Sequence, residues 1–176
     1  MIGMTNYYQD VKEFHRVFSH PGATTPTPMT VDRGIKRSTW TAEEAVVEFL
    51  HQTATSEAEF LEAIERFKSG LDTAVEKSLQ MKQPETDVER LVGQGDALTD
   101  ALYFIMGSFV EIGLDPAPLF EIVQRANMAK LGPDGKPIFR ESDQKVMKPE
   151  GWQPPEPQPE AEVRRQIAAA SSTSKA

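Results

Sequence analysis

Two pairs of acidic residues have the spacing and the chemistry of a metal site. Glu44 and Glu48 are four positions apart, and Asp96 and Asp100 repeat that spacing further along the chain. Side chains four apart lie on one face of an α-helix, one turn from each other. If the two helices pack face to face, four carboxylates converge, and such a cluster repels itself unless a cation neutralises it. Mg²⁺ prefers oxygen ligands and often shares its coordination shell with substrate phosphates, so the pattern predicts a Mg²⁺ site in which Mn²⁺ can substitute.

A second interpretation of the same acids stays open. Acidic pairs at helical spacing also occur on solvated helix faces, and Glu43 and Glu44 suit the first turn of a helix, where negative charge is favourable. The aspartate pair is the sharper signal because aspartate is a poor residue for the middle of a helix. Leu98 and Leu102 flank Asp100, which predicts an interior position for that carboxylate.

Composition narrows the functional classes. The chain has 176 residues with 27 acidic and 19 basic side chains, a net charge of −8, and no cysteine. Disulfides, thiolate metal sites and a cysteine nucleophile are therefore excluded. The acidic balance disfavours binding to duplex nucleic acid, and no apolar run approaches the ~20 residues of a membrane span. The start of the chain lacks a signal-peptide pattern, so we expect a soluble cytoplasmic protein without nucleic-acid or membrane partners.

Apolar periodicity predicts about five helices. They cover residues 6–19, 41–52, 56–79 and 86–112, and a fifth starts at Asp115 and Pro116. Thr5, Thr41 and Ser56 are the predicted N-caps of the first three, the last two each with Glu three positions later. Gly113 is the predicted C-terminal stop of the fourth helix. Prolines and glycine predict a loop over residues 20–37.

The C-terminal part has a different texture. Residues 132–135 form a turn signal, and residues 136–140 and 144–147 predict a short irregular hairpin. From Pro149 the chain is rich in proline, glutamate, glutamine, alanine and serine. We therefore expect an extended segment over 153–160, a marginal helix over 161–170 and disorder over 171–176. The predicted fold class is all-α, a helical bundle with a short irregular C-terminal segment.

Several segments, in order, resemble one enzyme family. Residues 95–107 (GDALTDALYFIMG) resemble the second metal-binding helix of the MazG-like all-α NTP pyrophosphohydrolases, within the phosphoribosyl-ATP pyrophosphohydrolase-like superfamily. Residues 126–137 and 144–152 are similar to the substrate segments of that family, and residues 11–18 to the opening helix of one subgroup. The resemblance implies a pyrophosphohydrolase domain over residues 1–150, followed by a tail over 151–176.

The chain departs twice from the metal-binding pattern of that family, E-x-x-E followed by E-x-x-D. Ala45 and Ala97 stand where the first acid of each motif belongs, and Glu44 and Asp96 lie one residue earlier. We therefore expect four-residue spacing on both helices, with both pairs facing inward.

The resemblance implies hydrolysis between the α- and β-phosphates of a nucleoside triphosphate, assisted by Mg²⁺. Glu44 or its neighbour Glu43 would orient the attacking water as general base. The substrate-binding residues implied in this way are Asn127, Lys130, Lys136, Lys145, Tyr103 and His15. For the lysines, ordinary exposed positions are an equally good interpretation.

The resemblance also implies a homodimer or homotetramer and a preference for a purine such as dGTP or GTP. For a phage-type member the location would be the host cytoplasm. Two alternatives remain open: a pyrophosphohydrolase acting on another phosphorylated metabolite, such as a phosphoribosyl nucleotide, and a non-enzymatic helical interaction module.

Overall fold

The structure is a computed structural model that describes residues 6–142, 146–155 and 157–173. Its helices are α1 (Tyr7–Val17), α2 (Val31–Ala42), a π-helical turn (Glu43–Glu48), α3 (Phe49–Thr53), α4 (Glu57–Ser78), α5 (Asp87–Ile112), α6 (Pro116–Met128) and α7 (Pro157–Thr173). The strands β1 (Ile138–Phe139) and β2 (Val146–Met147) form an antiparallel pair. The predicted all-α class and the predicted short hairpin are confirmed.

Most predicted helix ends are confirmed by their caps. The Ser56 hydroxyl accepts a hydrogen bond from the Glu59 amide at 3.2 Å at the start of α4. Asp115 caps α6 by accepting from the Ala117 amide at 2.9 Å, with Pro116 in the first turn. Gly113 follows α5 with a φ of 72°, a backbone conformation that glycine adopts without strain.

Two predicted caps and one predicted loop are wrong. Asn6, rather than Thr5, caps α1 by accepting from the Gln9 amide at 3.1 Å; Thr5 lies outside the described residues. The loop predicted over 20–37 ends early, because Thr30 caps α2. Thr41 therefore lies inside a helix, where its hydroxyl donates to the Arg37 carbonyl at 3.0 Å instead of capping a new one.

The described residues fall into two compact units: residues 6–24 with the described part of 106–173, and residues 25–105. In the first unit, α6 packs on both α1 and α7. The Tyr7 and Phe120 rings lie 4.3 Å apart, and the Gln124 side-chain amide donates to the Asp10 carbonyl at 3.0 Å. Phe18 and Ile122 are the buried apolar residues of the described chain.

The second unit contains α2, the π-helical turn, α3, α4 and most of α5. α2, the π-helical turn and α3 follow one another without a break, and α3 packs on α4, where the His51 and Phe60 rings lie 5.3 Å apart. The Gln94 side-chain amide brackets Met29, accepting from its amide at 2.9 Å and donating to its carbonyl at 3.1 Å. These two hydrogen bonds join the segment before α2 to α5.

The C-terminal segment differs from its prediction. Helix α7 begins at Pro157, so the extended conformation predicted up to residue 160 gives way to helix earlier, and the helix continues beyond residue 170. The Gln166 side chain accepts from the Asp115 amide at 2.8 Å and donates to the Asp115 carbonyl at 3.1 Å. Packing on α6 supplies the stability that composition alone does not. The domain boundary at residue 150 stays a prediction.

Candidate active site

The first acidic pair lies in the π-helical turn. The Phe49 amide bonds back to the Glu44 carbonyl, five residues earlier, which is the π pattern. Glu43, Glu44 and Glu48 are all exposed. Such turns are rare and are often found at functional sites, and this one coincides with the three acids that the sequence selected.

The second acidic pair lies near the middle of α5. Asp96 and Asp100 are exposed, and Tyr103, one turn beyond Asp100, is 77% exposed. The interior position predicted for Asp100 is not found in the described chain, because Leu98 and Leu102 beside it are themselves 66% and 55% exposed.

Within the described residues of one chain, the Glu44/Glu48 pair and the Asp96/Asp100 pair do not come together to form a metal site. Among residues 6–142, 146–155 and 157–173, no group of three or more acids or histidines is close enough to hold a metal ion. Extensive packing of α5 against the helix over residues 31–53 is also absent from this part of the chain. The four-carboxylate metal site therefore stays a prediction.

The chemistry of the donor set nevertheless suits Mg²⁺. Within the described residues, no hydrogen bond or ion pair occupies the carboxylates of Glu43, Glu44, Glu48, Asp96 and Asp100. By contrast, Glu13, Asp87 and Glu162 each pair with an arginine. Unpaired carboxylate oxygens are the ligands that a hard cation prefers.

Two of the predicted substrate residues meet at the end of α6. The Lys130 ammonium donates to the Asn127 side-chain oxygen at 2.7 Å, and both residues are half-buried. Burial lowers the pKa of Lys130 below its ordinary value, and the positive charge of Lys148 lowers that pKa further. The Lys130 ammonium is therefore held by Asn127 and is partly withdrawn from water.

A tight turn follows and carries Lys136. The Gly132 amide donates to the Lys136 carbonyl at 2.7 Å, and the Asp134 side chain accepts from the Lys136 amide at 3.0 Å. A Cβ on Gly132 would lie 3.2 Å from that carbonyl oxygen, so the turn favours glycine. Lys136 itself is exposed. Lys145, the other predicted lysine of the hairpin, lies outside the described residues.

Sequence reasoning selected neither Lys148 nor Trp152, although both lie in a segment that it had marked. The Trp152 indole N–H donates to the Ala126 carbonyl at 3.3 Å, and the Lys148 ammonium lies 4.1 Å from the centre of the Trp152 ring. The sequence does show a lysine four positions before a tryptophan in that segment, and this pair could have been selected. Only the tertiary structure shows that the tryptophan packs on α6.

His15 belongs to a separate group on α1. Its Nδ1 donates to the Pro21 carbonyl at 2.8 Å, and its ring lies 5.4 Å from that of His20. The groove here has a volume of about 630 Å³ and is lined partly by Tyr8 and Lys12. Phe14 stacks on the buried Phe18 at 4.4 Å, so Phe18 serves the core of this unit.

No single helix of the described chain is long and apolar enough to cross a membrane; α5 and α6 meet that criterion only as a pair bent by 117°.

Comparisons with known proteins extend these observations. The family model of the phosphoribosyl-ATP pyrophosphohydrolases matches residues 11–127. The chain is also similar to a crystal structure, at 1.78 Å resolution, of a candidate NTP pyrophosphohydrolase from Exiguobacterium sp. 255-15. The two share 75% sequence identity and a TM-score of 0.92, over 94% of this chain and 98% of the other. No curated protein matches the chain.

Proposed function

We propose, from the premise that the chain belongs to the phosphoribosyl-ATP pyrophosphohydrolase family, that it hydrolyses a nucleoside triphosphate to the monophosphate and pyrophosphate with the help of Mg²⁺. Membership in that family and the 75% identical relative make the chain a hydrolase of phosphoric anhydrides. The observation that carries the proposal is the extent of the family match. Residues 11–127 include both acidic pairs and Asn127.

Glu44, Glu48, Asp96 and Asp100 would hold the metal. Their exposed carboxylates have no protein partner in the described chain, so they are free to bind a cation. When bound, Mg²⁺ would neutralise phosphate charge and polarise the scissile phosphoryl group. Glu44 or Glu43 would accept a proton from the attacking water, which is the role of a general base.

Asn127, Lys130 and Lys136 would bind phosphate or sugar oxygens, together with Lys145. The contact between Lys130 and Asn127 supports this role because it holds the ammonium in place before substrate arrives. A partly desolvated ammonium also interacts more strongly with an anion than a fully solvated one. Tyr103 and His15 would contact the nucleoside, and we propose a purine such as dGTP or GTP as its base.

We also propose that the active enzyme is a homodimer or homotetramer. Val88, Leu98 and Phe104 on α5 are 71%, 66% and 72% exposed, and Leu61 and Leu71 on α4 are 54% and 53% exposed. Exposed apolar side chains on two long helices support this proposal, because extended apolar patches mark interaction sites in soluble proteins. A second copy of the chain would cover these residues.

The reaction is tested by incubating the purified protein with each NTP and dNTP, and separately with phosphoribosyl-ATP, in Mg²⁺, in Mn²⁺ or in EDTA. We expect monophosphate and pyrophosphate from a purine nucleotide, and no product in EDTA. Turnover of phosphoribosyl-ATP alone would instead assign the substrate that the family description names. Diphosphate and phosphate as products would contradict the proposed scissile bond, and activity in EDTA would contradict the metal.

A further inference from the structure

Four residues at the end of α6 and in the segment after β2 form a group that we call the lysine–tryptophan cluster: Asn127, Lys130, Lys148 and Trp152. Three contacts build it, the first of which is the Lys130 ammonium donating to the Asn127 side-chain oxygen at 2.7 Å. Trp152 is fixed to the last turns of α6 by its indole N–H, which donates to the Ala126 carbonyl at 3.3 Å. Lys148 then lies with its ammonium 4.1 Å from the centre of the indole ring, within the range of a cation–π interaction.

The two lysines of the cluster have no counterion. Within the described residues, no carboxylate pairs with Lys130 or Lys148, whereas Lys68 and Lys82 pair with nearby glutamates at 2.6 and 2.9 Å. Lys130 is half-buried, and the charge of Lys148 acts on it unfavourably, as the direction of its pKa shift reflects. Trp152 bonds to Ala126, the residue before Asn127, so Lys148 and Lys130 lie at the same end of α6. The two cations add positive charge there, in a chain whose net charge is −8.

We propose that Lys148, held by Trp152, is a phosphate-binding residue that acts with Lys130 on two adjacent phosphates, those that leave as pyrophosphate. This inference rests on the proposed function, and it adds a residue to the substrate site. A polyanion matches the cluster because each ammonium is a compact point charge that can meet a separate phosphate group. Trp152 is a positioning residue, since its ring and its bond to α6 determine where the Lys148 ammonium lies.

The test is binding of inorganic pyrophosphate to the full-length protein by isothermal titration calorimetry. We expect Lys148→Ala to weaken the affinity by about tenfold or more, because a hydrogen bond to a charged group is lost. Lys148→Arg, which keeps the charge, should recover part of that affinity. Lys77→Ala is the matched control and should bind as the wild type does, because Lys77 is an exposed lysine on α4 that has no ion pair with any described residue.

Steady-state kinetics distinguish the phosphate-binding role of Lys148 from the positioning role of Trp152. With the preferred nucleotide, Lys148→Ala should raise KM more than it lowers kcat, and Trp152→Ala should reproduce that pattern while Trp152→Phe, which keeps a ring, shows a smaller effect. Circular dichroism of each variant establishes that the fold is retained. If Trp152→Ala unfolds, the Lys148 variants alone decide the inference.

Each outcome is informative. Wild-type affinity in Lys148→Ala, or equal weakening in Lys77→Ala, would overturn the inference while leaving the proposed reaction intact. The same holds if the wild type hydrolyses nucleotides without binding pyrophosphate. If the wild type neither binds pyrophosphate nor hydrolyses any nucleotide, the proposed function itself fails.

Discussion

At the residue scale, the acids and the lysines occupy different electrostatic settings. Glu44, Glu48, Asp96 and Asp100 are exposed, and none has a partner in the described chain. Lys130 is half-buried and already bonded to a neighbouring amide. The lysine is therefore positioned before any ligand arrives, whereas no contact within the described chain fixes the geometry of the carboxylates.

Asp100 is the sharpest single test of the metal proposal. Asp100→Asn keeps the size of the side chain but removes its charge, so we expect the affinity for Mn²⁺ to fall and turnover to drop by about 10²-fold or more, since a metal ion contributes several kcal/mol to the transition state. Mn²⁺ binding followed by electron paramagnetic resonance and a steady-state assay measure the two effects.

The matched control is Asp72→Asn, which makes the same substitution at an exposed position on α4. It should leave both quantities unchanged. Full activity in folded Asp100→Asn protein would remove Asp100 from the site.

At the scale of elements, the π-helical turn lies at the first of the two departures from the family spacing. One additional residue separates Glu44 from Glu48 relative to E-x-x-E, and a turn with i to i+5 hydrogen bonds accommodates one additional residue within a continuous helix. A regular α-helix places residues three apart and residues four apart on one face, and Asp96 and Asp100 keep the four-residue spacing within α5. The π-helical turn therefore coincides with the first of the two departures and not with the second.

Deleting Ala45 tests this explanation. The deletion should convert the turn to regular α-helix and restore three-residue spacing, so Mn²⁺ affinity should stay within about threefold of wild type because both acids remain on one face. Deletion of Ala63, in the middle of α4, is the control for the general cost of removing a helical residue. A folded Ala45 deletion without Mn²⁺ binding would show that the site needs the π geometry.

Helix α7 contains an ion pair whose titration is predictable. Hydrogen bonds from Arg165 and Gln166 hold the pKa of Glu162 at about 2, below its ordinary value of 4.5. Because the folded-state pKa is depressed, this stabilisation is fully present above pH 4.5 and is lost as the pH falls towards 2.

The difference in Tm between wild type and Glu162→Gln should therefore shrink as the pH is lowered from 6 to about 2.5. Thermal unfolding followed by circular dichroism at several pH values measures it. Glu160→Gln, which removes the exposed pair with Arg164, should change Tm little at any pH. A difference for Glu162→Gln that does not depend on pH would contradict the assigned cause.

At the scale of the whole molecule, the exposed apolar side chains of α4 and α5 are the main feature that a single chain leaves unexplained. Leu91, Leu98, Ile105 and Ile112 recur every seven residues along α5, a period typical of helices that pack along their length. Leu98 and Ile112 are 66% and 55% exposed. A partner copy is the simplest way to bury this row.

Leu98→Glu tests the assembly. A charge within the row should be costly to bury, so we expect the mass measured by light scattering to fall from a multiple of 19.6 kDa towards that of one chain. Ser69→Glu, which adds the same charge at an exposed position of α4, should keep the wild-type mass. A monomeric wild type, or an unchanged mass in folded Leu98→Glu protein, would contradict the proposed interface.

The sequence by itself determined the features that depend on near neighbours. The caps at Ser56 and Asp115 and the stop at Gly113 were predictable because each is a local hydrogen-bond or backbone preference. The acids, Asn127 and Lys130 were selected as candidates from contiguous motifs, and their roles stay predictions. The same local reasoning failed at Thr30 and Thr41, where both residues suit a helix start and only the continuous helix decides which one begins it.

Tertiary structure alone decided the features that depend on residues distant in the chain. The contacts of Trp152 with Ala126 and of Gln166 with Asp115 join segments that no periodicity connects. They bring Lys148 to the end of α6 that carries Lys130, and they attach α7 to the start of α6. The physical reason is that side-chain packing and distant hydrogen bonds override local preference when they bury more surface than the isolated segment can.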